Sequence, residues 1–261
     1  MNFKHLAKAC VLLGAVGVGS AHAGLIAIIN GASGTSEPGT TSSITTQLDT
    51  LLQAAGNTTD VLDGVPADIS GYDQIWDIRF SNSLPISAAE EGQYMTFLQN
   101  GGGMFVMGEN NNFTTRNNSV LSLIAAAGGG SLSFVSPGST QDVVVPFDGP
   151  NIIADGNVTY SAPGGVSSAG TGQFITTDGV NGTGVAFGVG DLSNALAGAL
   201  TAIFDVNFME TTAEADSQDL LRNLIQFVEA EVDPEPSGVP VPAPLLLVGF
   251  GLLALLKRRQ A

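Results

Sequence analysis

The strongest constraint on the fold is a series of short apolar runs placed between helical patterns. The run Leu25–Ile29 is apolar at every position and ends at Asn30, which is typical of a strand buried on both faces of a parallel sheet. Further strands are predicted over Thr58–Leu62, 74–80 and 104–107. Because both faces of such a sheet must be covered, the sequence requires helices on either side of it.

Four helical patterns accompany these strands. Apolar residues recur at helical spacing over 44–55, over 120–127 and over 220–228. A further helix is predicted over 87–98, because this segment opens with Ser-Ala-Ala-Glu, the spacing of a capping box. Strand and helix therefore alternate through the first half of the chain. This alternation predicts an α/β fold with a mostly parallel sheet, its first four strands in the order 2-1-3-4.

The second half of the chain changes pattern. One more buried strand is predicted over 200–205. Before it, short strands recur between Gly, Pro and Asp residues without intervening helices, which indicates a β-rich elaboration. These short strands are predicted over 132–135, 143–146, 151–154, 158–160, 173–176 and 184–189.

The order of elements resembles the class I glutamine amidotransferase-like, flavodoxin-like superfamily. The resemblance is carried by the first strand, by the glycine-rich strand 101–108 that enters the nucleophile elbow, and by 204–208 before the last helix. It implies a three-layer body over 24–231, with 131–198 as the β-rich elaboration.

At the elbow the sequence departs from these enzymes. They carry a Cys or Ser nucleophile there, whereas this chain reads Gly108-Glu109-Asn110. Between residues 24 and 235 there is also no Cys, no His and no Lys. The composition therefore argues against Ser-His-Asp and Cys-His catalysis, and against thiolate or imidazole metal sites. Amidotransferase and esterase chemistry are not expected.

The body is strongly acidic. Over 24–235 only Arg79, Arg116 and Arg222 stand against all 24 acidic residues, a net charge of −21. Such a charge repels phosphate, so nucleic acid is not an expected partner.

The N-terminus has the features of a secretory signal peptide over 1–23. Basic residues Lys4 and Lys8 precede an apolar stretch that is too short to span a bilayer. The stretch is followed by Ala21-His22-Ala23, an A-x-A cleavage pattern. Signal peptidase is therefore an expected partner, and the mature chain is expected to begin at Gly24.

The C-terminus is built in three parts that follow a Pro-rich acidic linker over 232–238. A Val-Pro-Val-Pro motif precedes the uncharged run 245–256, and three basic residues end the segment. The order resembles the PEP-CTERM sorting signal of Gram-negative bacteria, here over 239–261 and with a short transmembrane helix. The residues of this motif and its basic end are Val239, Pro240, Val241, Pro242, Lys257, Arg258 and Arg259.

This resemblance implies an export route. The chain would cross the inner membrane, stay anchored there transiently as a precursor, and be processed by an exosortase. It would then reach the cell surface or the exopolysaccharide matrix, with exopolysaccharide as a further partner. An ordinary C-terminal anchor is the alternative explanation of the same apolar segment.

Candidate ligand-binding residues follow from the predicted sheet, because open α/β sheets bind ligands at the carboxyl ends of their strands. A catalytic interpretation uses Glu109 with a second carboxylate such as Asp205, as in glycoside hydrolysis. The structural interpretation pairs Glu109 with Arg79, and places Arg116 on an exposed loop. The residues at these strand ends are Asn30, Arg79, Glu109, Asn110 and Asp205.

A glycine-rich segment, three aromatic residues and several acidic turns are further candidates for ligand binding. The glycine-rich segment 31–36 resembles a flavodoxin phosphate loop but has no basic residue nearby. Trp76, Tyr72 and Tyr94 are candidates for sugar stacking or for the core. No cofactor is expected beyond weak calcium binding, and the acidic residues do not match the spacing of an EF-hand. The acidic turns considered for calcium contain Asp60, Asp63, Asp148, Asp155 and Asp178.

Three functions follow from these observations. The first is an exported surface or matrix protein with a non-catalytic recognition or scaffold role. The second is an exported, carboxylate-dependent polysaccharide hydrolase that uses Glu109. The third is a calcium-dependent matrix binder.

Overall fold

The computed structural model describes residues 24–30, 40–210 and 213–232. The predicted signal peptide over 1–23, the glycine-rich segment 31–36 and the predicted sorting signal over 239–261 lie outside these residues, as does the linker after 232. Within the three described ranges, no helix is both long and apolar enough to cross a membrane.

Strands and helices alternate in the first half of the chain, as predicted. The helices are α1 (Thr40–Ala54), α2 (Ala88–Gln99), α3 (Thr114–Ala127) and α4 (Ala215–Val232). The strands are β1 (Leu25–Ile29), β2 (Thr58–Leu62), β3 (Gln74–Asp77), β4 (Gly103–Met107), β5 (Phe134–Val135), β6 (Thr140–Val143), β7 (Asn157–Thr159), β8 (Gly165–Val166), β9 (Gln173–Thr177), β10 (Gly184–Phe187) and β11 (Ala199–Ile203).

The central sheet has nine strands in the order β2-β1-β3-β4-β11-β10-β9-β6-β7. The first five positions pair in parallel, and the predicted order of the first four strands is confirmed. β10, β9, β6 and β7 then continue the sheet as antiparallel strands. The β-rich elaboration is therefore an extension of the same sheet, accompanied by the separate pair β5–β8.

The sheet is covered on both faces, which confirms the three-layer α/β fold. Successive residues of β1 belong to two different clusters, with Ile26 and Ile28 on one face and Ala27 and Ile29 on the other. The first cluster contains apolar residues of α1 and α4, and the second contains those of α2 and α3. The fully apolar sequence of β1 is explained by this double burial.

Several of the short-strand predictions differ from the structure: β5 begins at Phe134 and β10 ends at Phe187, and the differences are larger at two further segments. The segment 151–154 forms turns, and of its two isoleucines Ile152 is 81% exposed while Ile153 is buried. The strand predicted over 143–146 instead covers Thr140–Val143. It ends before Pro146, which has no N–H to donate to a neighbouring strand. The local apolar pattern located these short strands only approximately. Pro and Gly residues flank them, and these residues shift where a strand can begin and end.

Helix α3 starts at Thr114, well before the predicted start at 120. Its first two turns are polar in sequence, yet Arg116 and Asn117 are buried. The apolar periodicity therefore starts later than the helix does. The expectation that Arg116 lies on an exposed loop is wrong, since its side chain is 0% exposed.

The buried arginine belongs to an ionic cluster around Asp77 at the end of β3. Asp77 Oδ1 lies 3.2 Å from Arg116 Nη2, and Oδ2 lies 2.8 Å from Arg79 Nη2. The hydroxyl of Tyr94 on α2 donates to the same carboxylate at 3.0 Å. Burial would raise the pKa of Asp77, but the two guanidinium groups outweigh it and hold the pKa at about 2.

The predicted pairing of Arg79 with Glu109 is wrong. The Arg79 guanidinium contacts Asp77 and, through Nη1 at 2.9 Å, Glu90 in the first turn of α2. Asp77 is only two residues away along the chain, and Glu90 lies in the first turn of α2. The arginine therefore links β3 to α2 and not to β4.

Arg116 also donates hydrogen bonds to backbone carbonyls of neighbouring segments. Its Nε donates to the carbonyl of Met107 at 2.9 Å, and Nη1 donates to the carbonyl of Leu84 at 3.2 Å. One side chain of α3 therefore joins β4, the loop before α2 and the Asp77 carboxylate.

Replacing Arg116 by alanine should lower the free energy of unfolding by about 3–5 kcal/mol, because it removes one partner of a buried ion pair. Arg79→Ala should cost a similar amount. Arg222→Ala is the matched control: its pair with Asp219 has side chains 41% and 28% exposed, so the loss should stay below about 1 kcal/mol. Urea unfolding measures all three. Equal losses for Arg116→Ala and Arg222→Ala would contradict the role of the cluster.

Candidate functional site

The strand-end residues predicted from sequence lie at one edge of the sheet. Asn30, Arg79, Glu109 and Asp205 follow β1, β3, β4 and β11, which are neighbouring parallel strands. The carboxyl ends of parallel strands meet at the same edge, so the topology brings these positions together. Their side chains nevertheless join different networks.

Glu109 occupies the elbow position and is only 2% exposed. Its Oε1 accepts hydrogen bonds from the backbone N–H and the side-chain amide of Asn110, both at 2.9 Å. Its Oε2 accepts the backbone N–H of Val206 at 2.7 Å. The carboxylate therefore binds the main chain after β4 to the main chain after β11, with both oxygens engaged.

Asn117 holds the elbow from the side of α3. Its Oδ1 accepts the Glu109 N–H at 2.8 Å, and its Nδ2 donates to the carbonyls of Glu109 and Asn110 at 2.7 and 2.9 Å. Sequence reasoning missed this residue, because it precedes the apolar part of the helix. The sequence offered only an Asn eight positions after Glu109. That spacing becomes informative only once α3 is known to start at Thr114.

A segment of the β-rich extension closes over the elbow. Gly164 donates its N–H to the carbonyl of Phe204 at 2.8 Å. A Cβ at Gly164 would lie 2.4 Å from the carbonyl oxygen of Glu109, so only glycine fits this close approach. The elbow is therefore covered by the chain between β7 and β8.

Asp205 is fully buried at the end of β11. Its Oδ1 accepts the N–H of Asn207 at 2.7 Å, and its Oδ2 accepts the N–H of Ala162 at 3.4 Å. Burial raises the pKa of Asp205 to about 6, and these backbone hydrogen bonds only partly oppose it. The Asp205 carboxylate in turn adds to the burial that raises the pKa of Tyr160.

The remaining predicted residues are engaged elsewhere. Asn30 accepts a hydrogen bond from the Thr45 hydroxyl of α1 at 3.0 Å. Arg79 belongs to the Asp77 cluster described above. The structure therefore brings together Glu109, Asn110 and the chain next to Asp205, and leaves Asn30 and Arg79 out of that group.

The aromatic residues and acidic turns that the sequence offered as further candidates have other roles in the fold. Trp76 is buried and stacks on Phe105, with ring centroids 4.8 Å apart, and Tyr94 is buried as well. Tyr72 donates its hydroxyl to Asp60 at 3.1 Å. Within residues 24–30, 40–210 and 213–232, no group of three or more acidic side chains is placed to hold a metal ion.

Among the residues that the structure describes, a cavity lies at each edge of the sheet. The larger, of about 660 Å³, lies at the amino-terminal edge between α2 and the segment before β3. The smaller, of about 270 Å³, lies at the opposite edge, next to the chain that follows β11 and the start of α4. Asp205 Oδ1 binds the N–H of Asn207, which lines the smaller cavity.

No protein-family model and no curated protein sequence matches this chain. Among solved structures, the mmIFT52 N-terminal domain is similar at 10% identity and a TM-score of 0.56, covering 78% of this chain and 97% of that domain. A ThuA-like protein from Bacteroides uniformis ATCC 8492 is 15% identical over 83% of this chain and 93% of its own, with a TM-score of 0.48. What the mmIFT52 similarity shows is a shared fold.

Asp205 should make stability depend on pH. The pKa of 3.8 expected for an unfolded Asp rises to about 6 in the fold, so the folded state binds more protons between these values. Stability should therefore fall as the pH rises from about 4 to about 6, by on the order of 2–3 kcal/mol. Asp205→Asn, which carries no charge, should flatten this part of the profile.

Chemical unfolding at several pH values measures this dependence. The exposed substitution Asp63→Asn serves as the control and should keep the wild-type slope. An Asp205→Asn variant with an unchanged slope would show that another group titrates.

Proposed function

We propose that this chain is an exported cell-surface or exopolysaccharide-matrix protein that is sorted by an exosortase. In this proposal its α/β body is a non-catalytic recognition or scaffold module. The support comes from two separate parts of the chain. The sequence of the two ends supports the route, and the geometry of the elbow supports the absence of catalysis.

The observation that carries the non-catalytic role is the state of Glu109. It stands where the resembling enzymes carry a nucleophile, yet it is buried, and its two oxygens accept hydrogen bonds from Asn110 and Val206. A general base or nucleophile needs an oxygen that reaches the substrate. Gly164 packs against the main chain of Glu109, where a Cβ would lie 2.4 Å from the carbonyl oxygen. This arrangement favours a structural carboxylate over a catalytic one.

The export route is supported by the order of the terminal segments. An A-x-A pattern follows the apolar stretch near the N-terminus, and Lys257-Arg258-Arg259 follows the apolar run 245–256. Basic residues after such a run favour a cytoplasmic tail, with the body on the other side of the membrane. The strongly acidic body suits an extracellular layer in which self-repulsion keeps chains apart.

Intact-mass spectrometry tests the route. Surface material should contain a species that begins at Gly24 and lacks the residues from 245 onward, because both terminal segments are expected to be cleaved. Cells without exosortase should retain the C-terminal segment. A mature surface species that still carries 245–259 in exosortase-positive cells would favour the ordinary anchor instead.

Replacement of Glu109 by glutamine tests the non-catalytic role. The wild-type chain should release no reducing sugar from matrix polysaccharide. Glu109→Gln should lower the free energy of unfolding by about 1–3 kcal/mol, because an amide NH₂ would face a backbone N–H. Glu91→Gln, on the first turn of α2, is the control and should be close to neutral.

The opposite outcome identifies the rival function. Sugar release by the wild-type chain that disappears in a folded Glu109→Gln variant would favour an exported polysaccharide hydrolase that uses Glu109 and Asp205.

A further inference from the structure

The smaller cavity, here called the β11–α4 pocket, has a distinct construction. It is formed by the end of β7 with Ser161, by Phe208 and Glu210 after β11, and by Glu214 and Ser217 at the start of α4. It therefore lies at the carboxyl edge of the sheet, where α/β folds bind ligands. Its volume of about 270 Å³ corresponds to roughly nine water molecules, enough for one sugar ring.

Ser217 gives the pocket a buried polar group. Ser217 is among the lining residues and is 2% exposed, yet its hydroxyl makes no hydrogen bond to any residue that the structure describes. Buried polar side chains are nearly always hydrogen-bonded. The other buried hydroxyl of the pocket, that of Tyr160, is shared with Thr176 at 3.0 Å. Ser217 is therefore available to a ligand as both donor and acceptor.

The charge of the pocket restricts what it can bind. Glu210 and Glu214 line it, and no Lys, Arg or His is among its lining residues. Asn207 joins these groups to the sheet, since its N–H binds Asp205 and its Nδ2 donates to Glu210 at 2.8 Å. An anionic ligand would be repelled, whereas a neutral polyol or a cation would not.

The pocket lining includes two aromatic residues, Tyr160 and Phe208. The rings of Tyr160 and Phe208 meet edge to face, with centroids 6.5 Å apart, and both residues are buried. Apolar aromatic surface beside a few directed polar groups is the composition of small-molecule sites. The C–H face of a sugar ring fits such a wall, while its hydroxyls reach the polar side.

We propose that the β11–α4 pocket binds a single amino-sugar unit, with its hydroxyls on Ser217 and its ammonium group between Glu210 and Glu214. The inference rests on the proposed matrix function, and it names the glycan unit that the body would recognise there. The ammonium group would make this ligand bind more tightly than neutral sugars, because it can pair with the carboxylates. The two carboxylates would repel uronic acids.

The larger cavity does not offer the same feature. Several of its polar side chains already bind within the chain: Gln93 donates to the carbonyl of Ala67 at 2.9 Å, and Asp73 accepts the Leu25 N–H at 2.8 Å. Asp68 is likewise bound to Ser70. The β11–α4 pocket is therefore the site that the observations favour.

Calorimetric titration of the full chain with glucosamine, glucose and glucuronic acid tests the proposal. Glucosamine should bind saturably, glucose about tenfold more weakly, and glucuronic acid not at all. Ser217→Ala should weaken glucosamine binding about tenfold. Its melting temperature should stay the same or rise, because the removed hydroxyl has no partner within the described residues.

The charged part of the pocket is tested separately. Glu214→Gln should reduce the affinity for glucosamine to that for glucose and leave glucose binding unchanged. Glu91→Gln and Ser119→Ala lie outside the pocket and serve as controls with unchanged binding. The proposal is overturned if glucosamine fails to bind, if glucuronic acid binds as well as glucosamine, or if Ser217→Ala binds like the wild type.

The binding result and the export result are independent. Glucosamine binding by a chain whose surface form keeps its C-terminal segment would overturn the sorting proposal alone. Correct processing without glucosamine binding would overturn the pocket proposal alone.

Discussion

The fold depends on the buried carboxylate of Asp77 and its two arginine partners. Arg79 connects this carboxylate to Glu90 of α2, and Arg116 connects it to α3 and to the Met107 carbonyl at the end of β4. Three charges buried together are tolerated only because each is paired and hydrogen-bonded. The cluster thereby sets how the two helices on one face of the sheet meet the ends of β3 and β4.

The candidate site is built outward from this cluster. Arg116 and Asn117 are consecutive residues of α3, so the helix that places the arginine against Asp77 also places Asn117 against the elbow. Glu109 then carries the connection across to Val206 after β11. The first turn of α3 therefore contributes both to the stability of the fold and to the geometry around Glu109. The antiparallel extension adds the segment around Gly164, which covers the elbow and leaves the β11–α4 pocket beside it.

The α/β fold by itself does not identify the chemistry at the end of β4. The chain has the three layers of an α/β fold, and the position after β4 holds a carboxylate that is engaged by the main chain. The same fold supports many functions, and the residues at its edge decide among them.

The sequence by itself determined the elements whose signal is local. Double burial requires the apolar run of β1, and the Ser87–Glu90 capping box, present in the structure, fixes the start of α2. The strand order and the shared edge followed from the alternation of strands and helices. Only the tertiary structure decided the polar partners: Arg79 binds Asp77 and not Glu109, and Arg116 is buried. A long charged side chain can reach several acids, and its choice depends on which elements pack around it. For the same reason no local pattern marked Asn117 or Ser217, since their roles exist only once α3 and α4 meet the sheet.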